Sequence, residues 1–430
     1  MLNSKLFRFN NTKLKSTIGE EFLSPNIRVG IDWITLLVTL FLVVIGLASI
    51  YSSSPNSLKL ALLQKQLIST LIGIFLLLII LYLPSTIIKN TALPIYIFSI
   101  LLLLGVLAFG TTIKGTKGWI RLGSFSLQPS EIAKLGVLLI LARYIAMKGT
   151  DIRTLRNSAI SIFITLIPLS LIILQPDIGS ATVILSMLLG IFFWTGFEVL
   201  IIYTIVVSPF VILLSLLGQI YFIVTTLIFS SITFAFRKKI FLSIFVVLMF
   251  TVLGIASPLI YENLMPHQQN RIQSFLNPGS DPRGNGYNVW QSMLAVGSGG
   301  LTGKGYMQGT LTQLKYIPEQ WTDFIFSVSA EEFGFIGAFI VLIAELTLII
   351  RLYNIAYNIE DKFFSIICFG SATIFFYHCL INIGMVIGVS PVMGIPLPFM
   401  SYGGSAILIN LMLVGFSLHA HRHNILKRKI

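Results

Sequence analysis

The amino-acid sequence predicts an all-α protein that crosses a membrane many times. Three observations carry that prediction: the composition, the length and number of the apolar runs, and the placement of the basic residues. Of 430 residues, 55% are hydrophobic and only 10% are charged, whereas an ordinary soluble domain is about 25% charged. No soluble fold hides that much apolar surface, so lipid is the solvent for most of it. The first apolar run, Trp33 to Ile50, follows a polar lead and has no small-residue cleavage site after it. It is expected to be a first spanning helix rather than a cleaved leader.

A spanning helix needs about 20 apolar residues. On that measure helices are expected near 32–52, 66–84, 91–110, 128–147, 158–175, 178–197, 199–218, 220–236, 240–260, 323–350, 364–387 and 403–419. The count is even, which puts both termini on one side. Basic residues choose the side. Lys5, Arg8, Lys13, Lys15 and Arg28 precede the first helix, Lys89 lies in the second loop, and Lys148, Arg153 and Arg156 lie in the fourth. Arg237, Lys238 and Lys239 form the sharpest cluster, Arg351 and Lys362 flank a later loop, and Arg422, Lys427, Arg428 and Lys429 close the chain. Under the even count all of these share one face, which is then cytoplasmic.

The same pattern explains the net charge of +13 without any nucleic-acid partner. Cys368 and Cys379 fall near one helix, eleven residues apart. That is about 16 Å of helix, too far for a bridge, so they read as small apolar packing residues.

The chain therefore divides into a cytoplasmic segment 1–31, a first membrane part 32–260, a large outer loop 261–322, a second membrane part 323–419 and a basic cytoplasmic tail 420–430. Residues 199–236 carry little polar content and read as an inserted pair of packing helices. The short outer loop 111–126 holds Lys114, Lys117 and Arg121 and no acid. Tolerated external cations and an anion site are both open readings. The long loop is rich in Gly and Pro yet holds Trp290, Tyr306, Tyr316 and Trp321, which argues against disorder. Within it, Tyr287 to Val296 suits a short amphipathic helix at the membrane surface. The run GGLTGKG is not a nucleotide-binding loop, because Ser298 and Gly305 stand where that motif requires Gly and Ser or Thr.

Four segments carry more specific wording: GWIRLGSFSLQPSEIAKL (118–135), LQPDIGSA (174–181), the run from Arg271 to Gly337 that includes GKGYMQGT and PEQWTDFIF, and NIGMVIGVSPVMGIPLPFMSYGGSA (382–406). In this order they resemble the SEDS family of cell-wall polymerases. The GKGYMQGT, PEQWTDFIF and GIPLPFMSYGGSA runs favour its RodA (elongation) branch over its FtsW (division) branch. The resemblance implies a bundle of about ten core transmembrane helices, which makes the 199–236 hairpin extra. It also implies a bacterial cytoplasmic-membrane glycosyltransferase that polymerises lipid II, a disaccharide-pentapeptide on undecaprenyl diphosphate, into glycan strands on the outer face. The implied partners are a class B penicillin-binding protein and other elongation-complex membrane proteins. One departure is Gly118 before Trp119, where the family tends to carry Arg; Lys117 or Arg121 is the cation left to take its place.

That reaction joins a sugar hydroxyl to an anomeric carbon and expels a lipid diphosphate. The leaving group is competent, so a base and positive charge near the phosphates are what the site needs. One carboxylate is enough, unlike the paired carboxylates of a glycoside hydrolase. Asp323, among Trp321, Phe324 and Phe326, is the candidate base. Read alone it is better explained as a helix cap; the resemblance reverses that and assigns it the catalytic role.

Glu131 and Lys134, three apart, share a helix face as a structural ion pair or as the lining of a diphosphate cavity. Trp119 belongs to the second motif, and Lys117, Arg121, Arg271 and Lys304 are backed as a set for phosphate or sugar carboxylate. Ser401 and Tyr402 open the last helix, where backbone N–H groups suit an anion and small residues suit close packing. Asp177 reads as a helix-ending turn or a substrate contact, and His378 and Asn382 as hydrogen-bonded packing. Glu331 and Glu332 are further candidates for the cavity. A divalent cation, Mg or Mn, is a conceivable bridge between diphosphate and Asp323, but no dedicated ligand cluster shows. Two rival functions remain: a flippase for the lipid-linked precursor, and a non-catalytic scaffold for the penicillin-binding protein.

Overall fold

The computed structural model describes residues 30–429 apart from 114, 115, 124, 236–239, 265–268, 270, 271, 274 and 277–285. Lys114, Arg271 and the Arg237, Lys238, Lys239 cluster therefore lie outside the described residues, as do the basic residues before the first helix. The expected twelve long helices are present: α1 (Trp33–Ser53), α2 (Lys59–Tyr82), α3 (Ser85–Phe109), α4 (Pro129–Ile145), α5 (Leu155–Ile173), α6 (Ile178–Trp194), α7 (Val199–Leu216), α8 (Gln219–Ala235), α9 (Ile240–Glu262), α12 (Ile325–Asn358), α13 (Lys362–Val386) and α14 (Gly404–Lys429). Two short ones, α10 (Tyr287–Ser298) and α11 (Thr310–Gln313), lie in the outer loop. Among the described residues nine helices are long and apolar enough to cross a membrane by length and composition, so the protein is a multi-pass membrane protein.

α4 departs from the spanning pattern because it is interior. Fourteen of its seventeen residues are buried, Glu131 and Lys134 among them, so protein rather than lipid meets its polar side chains. α2 starts seven residues before the expected 66. The added turns carry Lys59, Gln64 and Lys65 among apolar residues, and Lys59 rests its ammonium 4.2 Å over the Tyr51 ring. Gln66 is buried and bonded to the backbone at 401 and 403.

The 111–126 loop is not irregular. Its β-branched and aromatic residues form a three-stranded antiparallel sheet, β1 (Thr111–Ile113), β2 (Thr116–Leu122) and β3 (Phe125–Leu127), in the order β1-β2-β3. Thr111 faces Trp119 and Arg121 faces Ser126.

The glycine-rich run has a backbone function. α12 breaks at Gly334 (φ 66°, ψ −165°), and the loop around 300–305 replaces the interrupted helical bonds. The Lys304 and Gly305 N–H groups donate to the Glu331 and Glu332 carbonyls at 3.0 Å each. The Phe335 and Ile336 N–H groups donate to the Gly300 and Leu301 carbonyls at 2.8 and 3.1 Å. A Cβ on Gly303 would lie 2.1 Å from the Glu332 oxygen, and one on Gly334 2.2 Å from the Gly303 nitrogen. Only glycine lets the two backbones approach this closely.

α14 packs along α2, α13 along α12, α4 and α6, and α1 along α12, around one continuous core. α7, α8 and α9 pack mainly on one another around a separate small core of Val207, Val211, Val246 and Phe250. The expected 199–236 hairpin is thus the α7–α8 part of a three-helix unit. An apolar hollow of about 210 Å³ lies between α5, α6 and α7.

One end of the bundle is tied by ion pairs. Arg351 grips Asp32 through two nitrogens at 2.8 and 3.1 Å, and Lys89 meets Asp361 at 2.6 Å. Burial alone would raise the Asp361 carboxyl, but the Lys89 hydrogen bond and charge and the Phe363 N–H outweigh it and hold it below its ordinary value. Gly30 lies against Arg422 at this same end.

Candidate active site

The opposite end carries the polar convergence. α12 begins at Ile325 with Phe324 in the capping position and no side-chain cap. Capping therefore does not account for Asp323. Its backbone is pinned instead: its N–H donates to the Glu319 carbonyl at 3.2 Å, and its carbonyl accepts from Asn382 Nδ2 at 2.8 Å. The second Asn382 donor goes to the Ile395 carbonyl, also at 2.8 Å. One buried amide thus ties the Asp323 turn to the segment before α14. The half-buried Asp323 side chain lies against Gly394 (φ 66°), with Oδ2 3.7 Å from where a Cβ would sit.

Gly394 is also a wall of a small polar pocket of about 20 Å³, shared with Gln128, Glu131, Lys134, Ser180 and His378. Lys134 Nζ lies 2.8 Å from both Glu131 carboxylate oxygens and is hydrogen-bonded to Oε1. The two side chains are 2% and 4% exposed, so this is a buried ion pair, in which an unpartnered charge would be strongly destabilising. The same Nζ meets His378 Nε2 at 3.3 Å, and His378 Nδ1 meets the Pro396 carbonyl at 2.9 Å. Asp177 caps α6 by accepting from the Ser180 N–H and also accepts from Gln128 Nε2 and the Ser130 hydroxyl. It thereby joins the starts of α4 and α6 beside the cavity.

Ser401 and Tyr402 reach the Asp323 turn through hydrogen bonds. The Ser401 hydroxyl donates to the Thr322 carbonyl at 2.6 Å, and the Tyr402 N–H donates to the Trp321 carbonyl at 2.9 Å. The Gly403 N–H is held by Gln66 Oε1, so these groups brace the turn. Burial pushes the Tyr402 phenol up, which keeps it protonated.

The structure brings Asp323, Glu131 and Lys134 together across Gly394, with Ser401 and Tyr402 behind. It does not bring the loop cations to the same point. Lys304 Nζ lies 2.7 Å from Glu331, and Glu331 also accepts the Leu311 and Thr312 N–H groups. Glu332 accepts from the Ser52 hydroxyl. These two carboxylates thus serve the outer loop and α1 rather than line the cavity.

Lys117 donates to the Leu107 carbonyl at 2.7 Å, at the end of α3. Trp119 is half-buried in β2, and Arg121 is exposed on the same strand. Arg271 lies outside the described residues. Sequence reasoning passed over His378 as a cavity residue and Gln128 altogether. The available signal was the spacing of His378 and Asn382, four apart on one helix face. Among the described residues no three His, Cys, Asp or Glu side chains converge as a metal cage.

A family model for the FtsW/RodA/SpoVE cell cycle proteins matches residues 30–228 and 217–425. The two matches meet inside the α7–α8 hairpin. The chain is 34% identical over 402 residues to the peptidoglycan glycosyltransferase MrdB of Escherichia coli K12, spanning 92% of this chain and 95% of that protein. It is 33% identical over 418 residues to the peptidoglycan glycosyltransferase RodA of Treponema pallidum, spanning 89% and 96%. Among solved structures, a chain from a peptidoglycan synthase complex that coordinates polymerization and crosslinking matches with a TM-score of 0.70 at 28% identity, over 92% of this chain and 99% of that one. Sequence and fold agree, and the chain belongs to the FtsW/RodA/SpoVE family.

Proposed function

We infer that this chain is an inverting peptidoglycan glycosyltransferase that polymerises lipid II on the outer face of the bacterial cytoplasmic membrane during cell elongation. The observation that supports this most is the approach of Asp323 to the Lys134–Glu131 cavity across Gly394. Asp323 takes the proton from the attacking sugar hydroxyl as its oxygen bonds to the anomeric carbon. The bond from that carbon to the diphosphate oxygen breaks, and the departing charge is met by Lys134. Ser401 and Tyr402 brace the Asp323 turn, while Lys117 and Lys304, each bonded to its own neighbours, stand away from that point. A divalent ion at Asp323, if bound, supplies charge neutralisation to the phosphates.

The ion-paired end, where Gly30 lies against Arg422, is cytoplasmic on the positive-inside rule, and the Asp323 end is then outside. A class B penicillin-binding protein suits the partner's place, because the similar solved chain comes from a complex that couples polymerization to crosslinking.

Purified protein supplied with labelled lipid II separates this reading from its rivals. Polymerisation supports it; transbilayer movement without glycan strands means a flippase, and neither activity, with a transpeptidase partner present, means a scaffold. Loss of a general base lowers rates by about 10²–10⁴-fold. Asp323→Asn is therefore expected to remain folded, with strand formation reduced by that order. Full activity in that variant removes Asp323 from the mechanism, and cysteine labelling that finds position 323 on the inner side removes the topology.

A further inference from the structure

His378 lies on α13, away from the Asp323 turn in sequence, yet it lines the same cavity. Its side chain is buried and bonded at both ring nitrogens. The Pro396 carbonyl can only accept, so Nδ1 carries the proton. Nε2 then presents its lone pair to the Lys134 ammonium, and an N–H there would face another cation. The ring is thus an acceptor for Lys134, fixed in tautomer and angle by a carbonyl of the cavity wall.

An ammonium has three donors. Glu131 holds one, at 2.8 Å, and His378 holds a second, at 3.3 Å. The third is left for the cavity that Lys134 lines beside Gly394. A lysine on a flexible four-carbon stem has no preferred donor direction of its own. Two fixed acceptors on two different helices supply one.

We propose that His378 is a positioning residue for the transfer reaction: it accepts one N–H of Lys134 and so aims another at the diphosphate of the lipid-linked donor. This rests on the proposed glycosyltransferase function. His378 touches no reacting atom; it acts through Lys134. Because charge on the leaving group grows in the transition state, the loss falls on kcat more than on KM.

The test compares three substitutions in purified protein with lipid II as substrate. His378→Gln keeps an acceptor at the distance of Nε2 and gives up the Pro396 bond. His378→Asn keeps a donor near Nδ1 for Pro396 and cannot reach Lys134. His378→Phe keeps the ring and loses both.

The expected result is a fall in kcat of at least tenfold for His378→Asn and His378→Phe, with KM changed less than threefold. His378→Gln is expected to recover most of the lost rate. His378→Asn, which retains the wall bond, keeps its thermal stability near that of the parent, so its rate loss is not unfolding. The proposal is overturned if His378→Asn polymerises as fast as the parent. It is equally overturned if His378→Gln is no better than His378→Asn, or if the losses follow thermal stability or KM. A parent protein that forms no strands under the same conditions counts against the glycosyltransferase reading itself, before any variant is compared.

Discussion

Asn382 shows how one side chain sets the relation between two parts of the site. Its amide nitrogen donates to the carbonyls of Asp323 and Ile395, each at 2.8 Å. Asn382→Asp keeps the shape and replaces both donors with acceptors that face two carbonyl oxygens. A buried polar group left unsatisfied costs about 1–3 kcal/mol, and more when it is charged. The expected outcome is a lower unfolding temperature in detergent and strand synthesis reduced at least tenfold, because the Asp323 turn is released from the wall. Wild-type stability and rate in that variant would show that the turn is held by other contacts.

The same residue marks what was legible in the chain. Glu131 and Lys134 could be named in advance because charges inside apolar runs are rare and need a reason; Asp323, read alone as a helix cap, was named through the family resemblance. His378 and Asn382 were legible as a pair on one helix face, but not by target. Both bond to the 395–396 backbone, which sequence spacing does not locate. Ser401 was named for a helix terminus and instead holds the Thr322 carbonyl, a contact between segments 79 residues apart.

At the scale of elements, apolar run length located all twelve long helices, nine of which, among the described residues, meet the minimum span that lipid imposes. It could not locate the β-sheet at 111–127, whose strands are only three to seven residues long. Nor could it see that the glycines near 300 answer a break in α12. Composition showed many glycines, but the reason for them is another backbone. Gly303→Ala puts a methyl 2.1 Å from the Glu332 oxygen at a φ of +82°, where an L side chain is strained as well. The splice must open to accommodate it. Faster hydrogen exchange is expected at the Phe335 and Ile336 amides, with a stability loss of about 2 kcal/mol or more. Lys304 would lose its fixed approach to Glu331, so protease sensitivity in the 300–310 loop should rise as well. Unchanged exchange at 335 and 336 would mean that the loop does not complete the helix.

Across the whole molecule, the division of labour follows from where polar groups are placed. Ion pairs close the end where Gly30 meets Arg422, the Asp323 cavity occupies the other end, and α7–α9 form a side unit of almost entirely apolar helices. Runs of apolar residues gave the helix count of that unit. They could not show that α9 packs with the inserted pair, because a lipid-facing side chain and one in a small apolar core are the same residue types. The separate core yields a prediction about cooperativity. Phe250 is fully buried, within the cluster that includes Val207, Val211 and Val246. Phe250→Ala leaves a cavity worth about 3–5 kcal/mol, and the loss should stay local because that cluster is distinct from the main core. Exchange is expected to rise in α7, α8 and α9, while α4, α13 and the start of α12 keep their protection. Equal loosening of α13 would show that the side unit and the catalytic bundle unfold as one body, and that the inserted pair is a structural support for the site rather than an addition beside it.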